Sequence, residues 1–133
     1  MKSIFIGVNK IVLNKTYSRD DVGYKNIQCA LMRINENEKI GFFNLGEKYD
    51  NWLTKNGFLL NPRKDLNNDD LVTDLNRCTT YLFLRSGNKG LYYYVGTSKQ
   101  AKRHNANYLL IDLNISVITD VVVKRLGGLQ PLP

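Results

Sequence analysis

Residues 79–113, TTYLFLRSGNKGLYYYVGTSKQAKRHNANYLLIDL, constrain the fold more than any other part of the chain. Two aromatic, apolar runs flank the turn-forming Ser86-Gly87-Asn88-Lys89-Gly90, and a third run, 108–113, follows a basic segment. Aromatic and β-branched side chains suit a pleated, half-buried surface, so all three runs read as strands. Alternation along a strand puts Tyr92 and Tyr94 on one face and Tyr93 on the other. The segment between the second and third runs carries Lys99, Lys102, Arg103 and His104 and no acid. It is expected to be an exposed cationic connection, with 92–96 and 108–112 as adjacent antiparallel strands of one sheet.

The rest of the chain supplies the partners. Residues 2–8 (KSIFIGV) read as a first strand, continued by Ile11 to Leu13. Ser18 is a good N-cap, and Asp21 three residues later mimics a capping box, which predicts a short helix around 20–24. Residues 26–34 (NIQCALMRI) read as a second strand, Glu36-Asn37-Glu38 as a turn, and 39–45 (KIGFFNL) as the return of a hairpin. Residues 47–53 hold the single tryptophan and fit a helical turn or a strand. Gly57, Pro62, Asn67, Asn68, Asp69 and Asp70 all favour turns, so 56–74 is expected to be a loop. Val117, Val121, Val122 and Leu126 or Leu129 recur near helical spacing. Lys124 and Arg125 then fall in a last turn, and Gly127-Gly128 supply the stop.

A chain of 133 residues is one domain by length, long enough to bury a core without staples. The fold class this predicts is α+β and β-rich: a twisted antiparallel sheet or partly open barrel with one or two short helices. No internal repeat, low-complexity tract or linker divides it.

Charge is distributed unevenly. Residues 1–79 contain twelve Lys/Arg and ten Asp/Glu, whereas 80–133 contain seven Lys/Arg against Asp112 and Asp120. The later part therefore carries most of the net +7, a field that concentrates nucleic acid, nucleotides or anionic lipid. Cys29 and Cys78 are the only cysteines, and Cys29 sits in an apolar run that predicts burial. Two isolated cysteines and one histidine make no standard zinc site. The expected setting is reducing and cytoplasmic, with no signal peptide and no run near the roughly 20 apolar residues of a membrane span.

Catalytic chemistry finds little support. His104 has only Thr97 and Ser98 as nearby hydroxyls in sequence. Asp65, Asp69 and Asp70 match no EF-hand spacing. Gly87, Gly90 and Gly96 open no clear helix and so make no phosphate-cradling loop. The residues call for no metal and no cofactor.

Tyr17-Ser18-Arg19-Asp20-Asp21-Val22 resembles the "YSR-D-I" opening of a C-terminal domain found on restriction-type helicase–nuclease proteins. Tyr81-Leu82-Phe83-Leu84-Arg85 resembles its "LFVR" strand, Tyr92-Tyr93-Tyr94-Val95-Gly96 its "F-Y-LG" strand, and residues 108–113 its closing strand. Order and approximate spacing agree from Tyr17 to Leu113, while 46–77 does not align. The resemblance implies a β-rich module acting with double-stranded DNA, in restriction or antiviral defence, and it assigns no catalytic residue. Tyr81, Tyr94-Val95-Gly96 and Arg103 more faintly resemble the order of elements in GIY-YIG endonucleases. Thr80-Tyr81-Leu82 departs from their first triplet, and Glu47 is the last glutamate, so the metal-binding acid expected downstream is missing. Metal-dependent nuclease activity is therefore not expected.

A duplex binder needs cations for phosphates and polar or aromatic side chains for bases. Arg85, Lys89, Lys99, Lys102, Arg103 and His104 are the candidates for nucleic-acid or anion contacts, with Arg85, Lys99, Lys102 and Arg103 as the main phosphate set. Gln100, His104, Asn105 and Asn107 are candidates for base edges. Tyr92 and Tyr94 either pack in the core or stack on a base. The reading is a non-catalytic nucleic-acid-binding module, duplex DNA first. The alternative is a phage or bacterial protein that sequesters or senses an anionic nucleotide in a basic, tyrosine-lined pocket. A third is an interaction module whose basic face touches a partner protein.

Overall fold

The structure, a computed structural model, describes residues 11–24, 29–62 and 68–133. Its strands are β1 (Thr16–Tyr17), β2 (Leu31–Asn35), β3 (Glu38–Leu45), β4 (Trp52–Thr54), β5 (Gly57–Leu60), β6 (Thr79–Ser86), β7 (Tyr92–Ser98), β8 (Ala101–Arg103) and β9 (Leu109–Ile111). Two helices accompany them, α1 (Asn68–Arg77) and α2 (Asp120–Arg125), with short 3-10 turns at Asp20–Val22 and Ile115–Val117. The strands form two sheets, one of five in the order β1-β7-β6-β3-β2 and one of four in the order β4-β5-β9-β8. The α+β, strand-rich class read from the sequence is the class observed. Among the described residues neither sheet closes into a barrel, and no helix is long and apolar enough to cross a membrane.

One pairing is parallel. β3 and β6 run side by side from Glu38↔Thr79 to Leu45↔Ser86, and the residues between them supply β4, β5 and α1. A parallel pair needs such a crossover, so the hairpins of the large sheet are interrupted once.

Alternation along the large sheet makes two cores. Phe43 and Leu45 of β3, Leu82 and Leu84 of β6 and Val95 of β7 face the smaller sheet, meeting Leu53, Phe58, Leu60, Ala101 and Ile111. Leu75 of α1 and Val122 of α2 close this layer. The opposite face presents Ile40, Phe42, Phe83, Tyr92 and Tyr94, covered by Val22, Leu13, Tyr17 and Tyr24. There Phe42 stacks on Phe83 at 5.0 Å between centroids and Tyr94 meets Phe83 at 5.1 Å. Each such pair adds about 0.5–1.5 kcal/mol beyond the area it buries.

Several expectations are corrected. The strand read at 2–8 lies outside the described residues, and its continuation at Ile11 to Leu13 is not a strand. The second strand starts at Leu31, and Cys29 is exposed outside it while Cys78 is the buried thiol. The loop expected over 56–74 is corrected within the described residues, which form β5 and the start of α1 there. Gly57 has φ 139°, and a Cβ there would collide with the Ile111 carbonyl oxygen, so this glycine serves a close strand approach. Asp69 and Asp70 occupy the first turn of α1, where acids suit the helix dipole.

The pairing of 92–96 with 108–112 is also overturned. β7 belongs to the five-stranded sheet and β9 to the four-stranded one. At the corner between them Ser98 Oγ donates to the Gln100 carbonyl at 2.9 Å and accepts from the Gln100 amide at 3.3 Å. The chain then changes sheet and forms β8, an edge strand against β9.

Candidate nucleic-acid interface

The 3-10 turn at Asp20–Val22 places the first candidate side chain. The Ser18 amide donates to Asp21 Oδ2 at 2.8 Å, and the Asp21 amide donates to Ser18 Oγ at 3.0 Å. This reciprocal box fixes Arg19 between them. Its guanidinium lies 4.7 Å from the Phe42 ring centroid and 5.8 Å from that of Tyr92. Its Nη1 donates to the Cys29 carbonyl at 2.8 Å.

The parallel register places the second. Asn44 of β3 pairs with Arg85 of β6, so their side chains share the outer face of the large sheet. Arg85 Nε donates to Asn44 Oδ1 at 2.7 Å and Nη1 to the Gly90 carbonyl at 2.9 Å. The guanidinium then sits 4.2 Å from the centroid of Tyr92, a ring only 3% exposed. Each such cation–π contact contributes on the order of 0.5–2 kcal/mol, more as water is excluded. The segments around Arg19, Arg85 and Tyr92 thus meet at one place.

Beside this cluster a cleft of about 660 Å³ opens, lined by Arg19, Lys39, Phe42, Asn44, Tyr49 and Asn51 among others. Among the described residues β2 pairs with β3 as far as Leu31↔Gly41, with the Ala30 carbonyl still accepting from the Phe42 amide at 2.7 Å, and the rest of β3 has no described strand neighbour on that side. Asn51 takes over part of that edge. Its Nδ2 donates to the Asn44 carbonyl at 2.9 Å, and its Oδ1 accepts from the Asn61 amide at 2.9 Å.

The preceding residue, Asp50, is held at φ 55°, a region non-glycine residues seldom enter. Its carboxylate accepts from Trp52 Nε1 at 2.7 Å, Tyr108 Oη at 2.6 Å and Asn61 Nδ2 at 3.1 Å. Burial alone would raise its pKa, but the three donors together outweigh it and hold the acid below its usual range. The same bond, with burial adding to it, pushes Tyr108 up to about 12, so its hydroxyl remains a donor.

Lys39, 7% exposed, lies 2.5 Å from Asp74 Oδ2 across the cleft wall, and Arg33 bonds the other carboxylate oxygen. Burial would raise Asp74, but its bonds and charge contacts with Lys39 and Arg33 outweigh burial and lower it.

The residues singled out in the sequence divide between the outer sides of two different sheets. Arg85 lies at the cluster just described, and Lys89 is exposed in the neighbouring turn. Lys99 and Lys102 are exposed around a shallow depression of about 550 Å³ shared with Asn56, Asn76 and Asp112. Arg103 is exposed but bonded to Asp69 at 2.9 Å. His104 Nε2 lies 2.9 Å from the Pro133 oxygen. The four-residue phosphate set is therefore not one patch: Arg85 projects from the five-stranded sheet, Lys102 and Arg103 belong to the other, and Lys99 lies at the corner leading into it. Asn105 is occupied in its own turn, accepting from the Asn107 and Tyr108 amides at 2.9 and 3.1 Å.

Tyr92 and Tyr94 share one face as expected, but both are core residues, 3% and 8% exposed. Of the two roles read from the sequence, packing is the one their surroundings favour: the rings lie against Phe42 and Phe83. Burial pushes the Tyr94 hydroxyl up to about 12. Among the described residues no group of three or more His, Cys, Asp or Glu is placed to hold a metal ion.

Sequence reasoning passed over Arg19, Lys39, Asn44, Tyr49 and Asn51 as site residues. Only Arg19 carried a signal, through the capping box that encloses it. No family model matches the chain, and no curated protein or solved structure matches it either.

Proposed function

We propose that this chain binds nucleic acid, duplex DNA foremost, with Arg19 and Arg85 as its leading phosphate contacts. The observation that carries the reading is the Arg85 guanidinium, held 4.2 Å over Tyr92 by Asn44 and the Gly90 carbonyl. Its Nη2 makes no hydrogen bond and it pairs with no carboxylate among the described residues. Ordering a long side chain costs up to about 2 kcal/mol, and here the fold bears that cost before any ligand arrives. A guanidinium so held presents a planar fork that suits phosphate oxygens. Arg19, ordered on Phe42, supplies a second cation nearby, and Lys89 extends the face. Lys99, at the corner before β8, and Lys102, on β8, form a separate basic surface of secondary weight.

Duplex binding measured across a salt series tests this. The parent should bind more weakly as salt rises, and the double variant Arg19→Ala, Arg85→Ala should flatten the log–log slope by about two, roughly one per lost phosphate contact. Lys124→Ala, at the exposed end of α2, should leave the slope unchanged. A parent that binds no duplex at low salt, or a double variant with the parental slope, would end the proposal.

A further inference from the structure

We infer that the cleft beside Arg19 and Arg85 takes one nucleotide unit, its base inside and its phosphate on the arginines. This rests on the nucleic-acid reading above and adds what the arginines alone do not give, a place for a base. The first support is size: about 660 Å³ falls within the roughly 300–1,000 Å³ of small-molecule sites. The second is shape. Half-buried Tyr49 supplies aromatic surface and half-buried Leu31 and Leu71 aliphatic surface, over a floor of buried Phe42 and Leu60, a lining that suits a flat heterocycle.

The third support is the polarity of what remains unused. A guanidinium has no acceptor, so the Arg85 bond fixes the Asn44 carboxamide with its oxygen toward Arg85. The Asn44 Nδ2 is then left as a donor. Tyr49 Oη makes no hydrogen bond among the described residues, and the Lys39 ammonium keeps donors beyond its bond to Asp74. Asn51 is spent at both ends on Asn44 and Asn61. A donor-rich wall favours bases that present carbonyl oxygens, so guanine, thymine and cytosine should be preferred to adenine.

The unit could come from a duplex, extruded from its stack, or from a free nucleotide; the chemistry is shared and the test separates them. In one arm, four short duplexes carry 2-aminopurine next to A, C, G or T, so that extrusion of the neighbour relieves quenching. In the other arm, the four nucleoside monophosphates are titrated by thermal shift. The blocking variant is Ala30→Trp, which puts an indole on the exposed rim of the cleft and keeps both arginines in the chain. Tyr49→Ala is the second variant, used should the first fold poorly.

The expected result is a severalfold fluorescence rise with a carbonyl-bearing neighbour, or nucleotide stabilisation in the same order of bases. Either signal should be lost in Ala30→Trp or Tyr49→Ala, while Ala30→Trp keeps the parental salt slope on duplex. Signals that survive both variants overturn the cleft assignment, as does a parent silent in both arms. A parent that binds monophosphates through the cleft but no duplex leaves the cleft standing and removes the duplex reading.

Discussion

Asn76 holds Ala101 by both of its backbone groups. The Ala101 amide donates to Asn76 Oδ1 at 2.7 Å, and Asn76 Nδ2 donates to the Ala101 carbonyl at 3.0 Å. One carboxamide on α1 thereby substitutes for a neighbouring strand at the free edge of β8, which blunts an edge otherwise open to pairing with other chains. Ala101 is 6% exposed, so water is a poor replacement. Asn76→Ala should cost about 1–3 kcal/mol, the usual penalty for orphaned buried polar groups. Chemical denaturation measures the loss, and amide exchange should accelerate first at Ala101.

Acid should unfold this protein through Asp50 and Asp74. Both carboxyls are held below the ordinary value of 3.8. A depressed folded pKa means the unfolded chain takes up protons first as the pH falls. The stability these groups contribute is complete above the unfolded value and drains away as the pH falls from about 5 through the folded values. Denaturation midpoints followed from neutral pH downward should decline over that window. Asp74→Asn should lower the neutral-pH midpoint and shallow the decline, because Lys39 then lacks its carboxylate at every pH.

How much of this was legible follows from how local each cause is. β6 and β7 announce themselves because aromatic alternation and the Ser86-Gly90 turn are properties of adjacent residues. Ser18 and Asp21 did so for the same reason. Gly57 misled, because its need to lack a Cβ arises from the close approach of the Ile111 carbonyl, which sequence spacing does not reveal. Alternation identifies 92–96 and 108–112 as strands but cannot say that a corner at Ser98 sends them to different sheets. The cleft was invisible for that reason too: Asn44 read as a strand residue, Asn51 as part of a helical turn or strand and Asn61 as part of a loop, and their roles exist only once β3, β5 and the 46–51 turn meet.

Tyr94 separates packing from recognition. Its ring is 8% exposed and lies 5.1 Å from Phe83. Tyr94→Ala should destabilise the fold by about 3–5 kcal/mol, the range for a large buried aromatic. Tyr94→Phe should keep most of the stability, since the ring carries the packing. Duplex affinity of Tyr94→Phe should match the parent, which a gel shift at fixed salt will report. A selective loss of binding in a fully stable Tyr94→Phe would return the tyrosine to the ligand.

Arg85→Lys asks whether charge or geometry matters at the arginine cluster. Both side chains are cationic, so a purely electrostatic surface would barely register the exchange and would keep its salt slope. The proposed function gives geometry the larger share. Arg85 is fixed by Nε on Asn44, by Nη1 on Gly90 and by its plane over Tyr92, and an ammonium reproduces the charge without that planar fork. Lysine would therefore swing free, and binding would have to order it. Arg85→Lys should weaken duplex binding at low salt by about tenfold, equivalent to about 1.4 kcal/mol, with the slope nearly unchanged. Arg85→Ala should weaken it further and reduce the slope by about one. If Arg85→Lys binds like the parent, the cation alone suffices and the ordered guanidinium is not the basis of recognition.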